Sequence, residues 1–357
     1  MSALHKIKVK KVIKETADCV SVSFDIPQNL QSEFQYKSGQ YLALETEING
    51  EKVRRSYSLC SAPYENDWKV AIKKVEGGKF STYANETLTD NEEMSIMAPA
   101  GGFVLAPDSN AENHYVAFGA GSGITPILSM IKTVMHDEPK SRFTLFYGNR
   151  NFDTIIFREE IEALKNVYLN RLSVNHILSK EKLGSPLFFG RIDAQKCEKF
   201  GKVFYNPSEV AGYYLCGPAQ MIFSVKDQLI AQGADAGKIH FELFNTSDIP
   251  VETKKKVESY DSEAESKVTI ILDGESFDMP LDYGGASILD AALAAGADLP
   301  YACKGGVCST CKAQVTKGEA TMDINYALEP DEVENGFILT CQAHPRTAEI
   351  TVSYDEG

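Results

Sequence analysis

The rhythm of hydrophobic and polar positions changes twice along the 357-residue chain. Over residues 1 to about 107 the apolar positions fall in short runs, YLALETEI, VRRSYSLCS, WKVAIKKV and MSIMAPAGGFVL. These runs are rich in β-branched and aromatic residues and are separated by Gly or Pro, which predicts several short strands in an antiparallel barrel. The first change comes at NHYVAFGAGSGITPILSMIKTVMHDEP, where an apolar run enters a glycine turn. Beyond that turn Ile127, Leu128, Ile131, Val134 and Met135 share one helical face. FTLFYG (143–148) then reads as a strand, IIFREEIEALK (155–165) as a helix and GYYLCG (212–217) as a later strand. Strands alternating with helices predict an α/β doubly wound, mostly parallel sheet. The second change follows FELFN, where SDIPVETKKKVESYDSEAES is poor in apolar residues, as a solvated linker is. Structure is expected to resume at KVTIILDG with a strand, then SILDAALAAGADLP as a helix that ends near Gly296. No internal repeat is visible. The expected domains are therefore 1–107, 108–246 and 267–357, with a linker over 247–266.

Charge and cysteine usage narrow the function. The net charge of −14 argues against a nucleic-acid partner, which rewards basic surfaces. From Lys267 onward 5 Lys/Arg face 15 Asp/Glu, so the carboxyl-terminal part presents an acidic surface. Such a surface can steer a basic protein partner, and it can equally serve solubility. No apolar run approaches the roughly 18 residues of a membrane helix. The amino terminus alternates basic and apolar residues like a strand and lacks the apolar centre of a signal peptide. A cytoplasmic protein without membrane insertion is expected. Cys19, Cys60, Cys197 and Cys216 are scattered, and the other four cysteines lie near the end. Eight cysteines in a chain of this length are too few and too uneven for a disulfide scaffold.

The four late cysteines carry the strongest chemical signal. Their spacing is Cys303-x4-Cys308-x2-Cys311, with Cys341 following in GFILTCQAHP. Structural zinc sites usually pair their ligands as two short knuckles, whereas here three share one loop and the fourth is remote. C-x4-C-x2-C…C is the plant-type [2Fe–2S] spacing. Gly305 and Gly306 would let the main chain turn and bring N–H groups toward the sulfides, where such donors raise the potential. A cluster is the leading reading, with zinc and free thiols as the alternatives. PYACKGGVCSTCKAQVTKGE with GFILTCQAHP resembles the plant-type ferredoxin domain across 267–357. That resemblance implies an α+β (β-grasp) fold and a one-electron carrier.

GAGSGITP (119–126) follows a strand and opens a helix, the context in which backbone N–H groups hold a pyrophosphate. Gly119, Gly121 and Gly123 follow a G-x-G-x-G spacing, short of the Rossmann pattern by one residue, and Thr125 lies just inside the helix. A plain packing turn is the bland alternative. Cys216, Gly217 and Pro218 stand at the end of a strand, where a doubly wound sheet binds ligand. Glu242 and Phe244 lie at the end of the same domain. Read singly, Cys216 would be a small buried hydrophobe and Phe244 a core aromatic. At the end of the second strand, YGNRNFD offers Arg150 for a ribose 2′-phosphate, with Arg158 possible one turn into the helix and Asp153 as a counter-signal. NADPH is therefore favoured over NADH. In the barrel region Arg55-Ser56-Tyr57-Ser58 can pair with phosphate, stack on a flat ring and bond its edge. KKVEGGKFST adds Gly77, Gly78 and Ser81 just before an expected helix, a second phosphate-cradling turn.

Taken in order, RSYSLCS, GGKFS, GAGSGITP, LCGPAQM and FELF resemble the ferredoxin–NADP reductase family over residues 1 to about 246. The resemblance implies that Arg55 and Gly78, Lys79, Phe80 and Ser81 contact the flavin phosphates. It implies that Tyr57 stacks on the isoalloxazine, that Ser58 approaches its reactive nitrogen, and that Phe244 covers the other face. Cys216 and Glu242 would sit beside the nicotinamide. RSYSLCSAP with YGNRN…FREE is more similar to the reductase group of phenylacetyl-CoA epoxidases, which implies FAD, than to the phthalate dioxygenase group, which implies FMN. A flavin accepts one or two electrons, so it can stand between a hydride donor and a one-electron cluster. The expected protein is an electron-transfer reductase serving an oxygenase, foremost the phenylacetyl-CoA epoxidase. The alternatives are an aromatic-ring dioxygenase or acyl-desaturase partner, and a redox sensor without fast turnover.

Overall fold

The computed structural model describes residues 4–244 and 264–355. They form two compact units, one ending at Phe244 and the other lying beyond it. The expected linker lies outside the described residues up to 263.

In the first unit, six antiparallel strands follow from the short apolar runs. They are β1 (Leu4–Thr16), β2 (Cys19–Asp25), β3 (Tyr41–Ile48), β4 (Glu51–Ser58), β5 (Trp68–Lys73) and β6 (Glu93–Met97). Their order is β4-β3-β6-β1-β2-β5, and Leu59 just beyond β4 bridges to Val70 on β5. The two edge strands thus meet and close a barrel, which leaves no long edge open to another chain. Asn49 and Gly50, both at positive φ, make the tight turn between β3 and β4. Inside, Ile7, Val22, Leu42, Leu44, Val70 and Ile96 are fully buried. The helix α1 (Lys79–Glu86) follows β5 and covers one end with Phe80 and Ala84.

The same unit continues into five parallel strands: β7 (His114–Ala120), β8 (Arg142–Asn149), β9 (Leu172–Leu178), β10 (Val210–Gly217) and β11 (Ile239–Leu243). Helices α2 (Ile124–Asp137), α3 (Arg158–Val167), α4 (Ala194–Val203) and α5 (Ala219–Ala231) connect them. The order β11-β10-β7-β8-β9 reverses direction between β7 and β10. At that reversal the two neighbouring connections leave on opposite sides, and a crevice opens at the carboxyl ends of the strands. One expected element shifts: α3 starts at Arg158 instead of 155, because Phe157 adopts a left-handed φ of 59° that a helix cannot continue through. Arg158 is therefore the first helical residue and not one turn in.

The second unit begins with β12 (Glu265–Leu272) and β13 (Glu275–Asp282), followed by α6 (Ile288–Ala294), β14 (Lys312–Lys317) and β15 (Ala320–Met322). It ends with α7 (Pro330–Glu334), β16 (Phe337–Leu339), β17 (Ala343–Pro345) and β18 (Glu349–Ser353). The sheet runs β13-β12-β18-β14-β16, with β12 and β18 parallel and the other pairs antiparallel. Helix α6 lays Ile288, Leu289 and Ala292 on this sheet and stops just before Gly296, which takes a φ of 96°. This is the β-grasp arrangement. Among the described residues no helix is long and apolar enough to cross a membrane.

Strand β4 carries two adjacent arginines with opposite fates. Arg54 is buried opposite Glu45 on β3, with Nε and Nη2 donating to Glu45 Oε2 at 2.8 and 2.7 Å. Arg55 faces solvent. Removing one partner of a buried pair strands the other charge, which costs about 3–5 kcal/mol. Glu45→Ala should lower the unfolding free energy by that amount in denaturant titration, and a loss below about 1 kcal/mol would contradict the pairing.

Candidate cofactor sites

Arg55, Ser56, Tyr57 and Ser58 end β4 where it passes the amino end of α1. The Tyr57 ring lies 5.5 Å from that of Phe80, and burial pushes its phenol well above the usual range. Ser56 Oγ is buried and has no hydrogen-bond partner, an orphan that a bound group can satisfy. The turn before α1 is open at Gly77, which takes a φ of 71°, and tight at Gly78, where a Cβ would meet Ser81 Oγ at 2.5 Å. Ser81 Oγ accepts from the Val75 N–H at 3.1 Å and so shapes the turn. Lys79 pairs with Glu51 at the surface. Phe80 departs from the rest: its side chain is in the barrel core, so only its backbone faces the turn.

The carboxyl edge of the parallel sheet brings the next group together. Gly119, Cys216 and Glu242 occupy one row across β7, β10 and β11. Ser58 Oγ donates to Glu242 Oε2 at 3.0 Å, joining the barrel strand to this row across 184 positions of sequence. Gly123 lies so close to β10 that a Cβ there would stand 2.1 Å from the Cys216 carbonyl oxygen. Gly121 turns with a φ of 55°, and its carbonyl accepts from Tyr147 Oη at 3.0 Å. Thr125 Oγ1 donates to the Ser122 carbonyl at 3.0 Å and tightens the first helical turn. At Gly217 a Cβ would meet Met221 at 2.9 Å, and Pro218 then starts α5. Cys216 is fully buried, and that burial, reinforced by the Glu242 carboxylate, holds its thiol well above its ordinary range. Phe244 is partly exposed just past β11.

Arg150 is exposed beyond the end of β8, and Arg158 sits 4.4 Å over the Phe152 ring. Asp153 is exposed between them. Asn151 Oδ1, next to Arg150, is buried without a hydrogen-bond partner, so the strand end offers an acceptor to a bound nucleotide. The motif YGNRN contains Asn151, but only the fold shows its amide oxygen unsatisfied. Lys73 escapes sequence reasoning outright. Its Nζ lies 4.0 Å from the Cβ position of Gly121, and it reaches the glycine turn from the barrel, a juxtaposition no local pattern encodes.

In the second unit the four late cysteines converge. Cys303 and Cys308 place their sulfurs 3.1 Å apart, and the Cys341 sulfur accepts a hydrogen bond from Cys303 and donates one to Cys311. Lys304 and Gly306 take left-handed φ values of 52° and 70°, which fold the loop around the thiols. The Gly305 N–H donates to Cys303 Sγ at 3.3 Å, Thr310 Oγ1 to Cys308 Sγ at 3.4 Å, and the Gly306 N–H to Cys341. The hydrogen bond that the Cys308 thiol donates to Cys303, then burial, hold it well above its ordinary range. An all-sulfur donor set with N–H donors aimed at it fits a two-iron cluster, in which each iron takes two thiolates. Lys304 Nζ bonds Asp290 at 2.7 Å and rests 4.6 Å over Tyr301 at the rim.

Comparison with known proteins follows the same division. Residues 6–105 match the oxidoreductase FAD-binding domain family, 118–227 the oxidoreductase NAD-binding domain and 270–346 the 2Fe-2S iron-sulfur cluster binding domain. Over 99% of both chains, the protein is 42% identical to one of the component proteins of the 1,2-phenylacetyl-CoA epoxidase of Escherichia coli K12. It is 32% identical to the ferredoxin reductase component of 3-ketosteroid-9-alpha-monooxygenase from Rhodococcus rhodochrous, over 98% of this chain and 96% of that one. The solved structure of phthalate dioxygenase reductase shares the fold, with a TM-score of 0.60, 23% identity and 98% of each chain covered.

Burial and a raised pKa together make Cys216 a poor nucleophile. At pH 8 iodoacetamide should leave it unmodified in the native protein and label it after denaturation, as peptide mass mapping will read. Native labelling as fast as denatured labelling would contradict this placement.

Proposed function

The chain belongs to the ferredoxin–NADP reductase family, in its branch with a carboxyl-terminal [2Fe–2S] domain, and on that premise we propose that it carries electrons from NADPH through FAD and the cluster to an oxygenase. The oxygenase we favour is a phenylacetyl-CoA epoxidase, on the strength of the 42% identity to a component of that enzyme. The observation that carries the reading is the Ser58–Glu242 hydrogen bond of 3.0 Å, with Cys216 in the same row as Glu242. It sets the expected flavin strand and the expected nicotinamide edge at one point, which hydride transfer requires. A bound flavin would supply the exchange between a two-electron donor and a one-electron acceptor.

The chain's own groups have distinct tasks in this reading. Arg55 and the turn of Gly78, Lys79, Phe80 and Ser81 hold the flavin phosphates, Phe80 through its backbone alone. Tyr57 presents its ring to one flavin face and Phe244 to the other, while Ser58 bonds the ring edge. Gly119, Gly121, Gly123 and Thr125 hold the nucleotide pyrophosphate at the start of α2, with Lys73 beside them. Cys216, Gly217, Pro218 and Glu242 border the nicotinamide. The buried, neutral Cys216 and its neighbours keep water from the hydride path. Arg150, exposed beyond the end of β8, is the group assigned to a ribose 2′-phosphate, with Arg158 at the start of α3 as a second cation, and this favours NADPH. Cys303, Cys308, Cys311 and Cys341 hold the cluster. The domains are taken as 1–107, 108–246 and 267–357, and β7 opens the parallel sheet at His114, just beyond the first boundary. The cytoplasm is the location this reading assigns, and none of the eight cysteines is paired in a disulfide.

Two experiments test the reading. Cys341→Ser should abolish NADPH-dependent reduction of cytochrome c and spare that of ferricyanide, which can draw from the flavin. Survival of both activities would overturn the electron order. Arg150→Ala should raise the KM for NADPH far more than that for NADH, and equal effects would overturn the cofactor preference.

A further inference from the structure

Between the barrel and the parallel sheet the packing is apolar: Cys19, Cys60 and Ala71 of the barrel meet Ile124, Ile127, Leu128 and Ile131 of α2. Within this layer stands Lys132, with only 3% of its side chain exposed. A buried ammonium is costly and an apolar side chain would pack there at less expense, so its partners matter. Lys132 Nζ bonds Glu65 Oε2 at 3.1 Å and also Glu160. Glu65 belongs to the turn seven residues past the end of β4, and its carboxylate also accepts from the Ala62 N–H at 2.7 Å, so it is fixed in place. Glu160 lies in the first turn of α3, two residues after Arg158. One turn earlier on α2, Ser129 Oγ donates to the Ser61 carbonyl at 2.5 Å. Burial depresses the Lys132 ammonium, but the two carboxylates outweigh it and keep it charged.

One cation therefore ties three elements: the turn that follows the flavin strand, the helix that the glycine turn opens, and the helix that carries Arg158. We propose that Lys132 is a positioning residue that holds α2 in register with β4, so that nicotinamide and flavin meet at hydride-transfer geometry. The inference rests on the flavin–nicotinamide reading above. Helix α2 runs nine residues from Gly123 to Lys132, about 13 Å of rigid rod at the helical rise. A shift between the turn after β4 and α2 thus moves the phosphate-binding end, together with its own sheet, relative to the flavin strand.

The test uses Lys132→Met and, in case two facing carboxylates prevent folding, the neutral triple variant Lys132→Met/Glu65→Gln/Glu160→Gln. The glutamine at 65 keeps the acceptor for Ala62 while removing the charged tie. In the flavin-loaded proteins both variants should slow flavin reduction by NADPH roughly tenfold to a hundredfold, the range that a misplacement of about 1 Å costs. They should also weaken the long-wavelength charge-transfer band expected when NADP⁺ is added to the protein with its flavin reduced. Affinity for 2′,5′-ADP, which binds the nucleotide domain alone, and the flavin potential should stay as in the parent. A triple variant with the parental rate and band would overturn the proposal and leave Lys132 a stabilising ion pair. An equal fall in 2′,5′-ADP affinity would also overturn it, by locating the defect inside the nucleotide domain. Failure of NADPH to reduce the parent itself would instead refute the underlying functional reading.

Discussion

The approach of Gly123 to the end of β10 constrains everything around it. A single Cβ at this position would stand 2.1 Å from the Cys216 carbonyl oxygen and 2.9 Å from the Gly217 nitrogen, so no other residue lets the turn lie there. Because the turn lies there, α2 begins directly against the carboxyl edge of the sheet. The N–H groups at its start then face the crevice at the topological reversal, and Cys216 is sealed beneath them. Glu242 occupies the next strand in the same row, from which it reaches Ser58. The proposed hydride path is in this sense a consequence of one missing methyl group.

Charge is used in two contrasting ways. In the first unit, cations are buried where they fix geometry: Arg54 against Glu45 inside the barrel, and Lys132 against Glu65 and Glu160 under α2. Arg55 and Arg150, one residue or one strand away, remain exposed and available to phosphate. In the second unit the neighbours of the thiols are mostly neutral donors, the N–H groups of Gly305 and Gly306 and the Thr310 hydroxyl. Such donors stabilise charge on sulfur without adding a fixed cation, and Lys304 stays at the rim, held by Asp290.

Much of this is legible in the chain. The cysteine spacing names the cluster loop because ligand geometry dictates spacing, and the switch from period-2 to helical patterning marks the change from barrel to parallel sheet. The motif GAGSGITP reads as a phosphate turn although its spacing is irregular. The departures have specific causes. The helix expected from 155 begins at Arg158 because Phe157 turns left-handed, which its bulk gives no reason to expect. Phe80 stands within a binding motif yet packs inward, since the first turn of α1 must cover the barrel. Lys73 and Lys132 are invisible in the sequence because each acts across a domain boundary on residues dozens of positions away, and such pairings exist only once the chain is folded.

The most direct measurement of the electron path is an anaerobic NADPH titration followed by electron paramagnetic resonance, on the intact protein and on protein stripped of flavin. The account predicts that the signal of the reduced [2Fe–2S] cluster grows with NADPH in the intact protein. In the stripped protein it should appear only with dithionite. Reduction of the cluster by NADPH without flavin, or a cluster that stays oxidised when flavin is present, would contradict it.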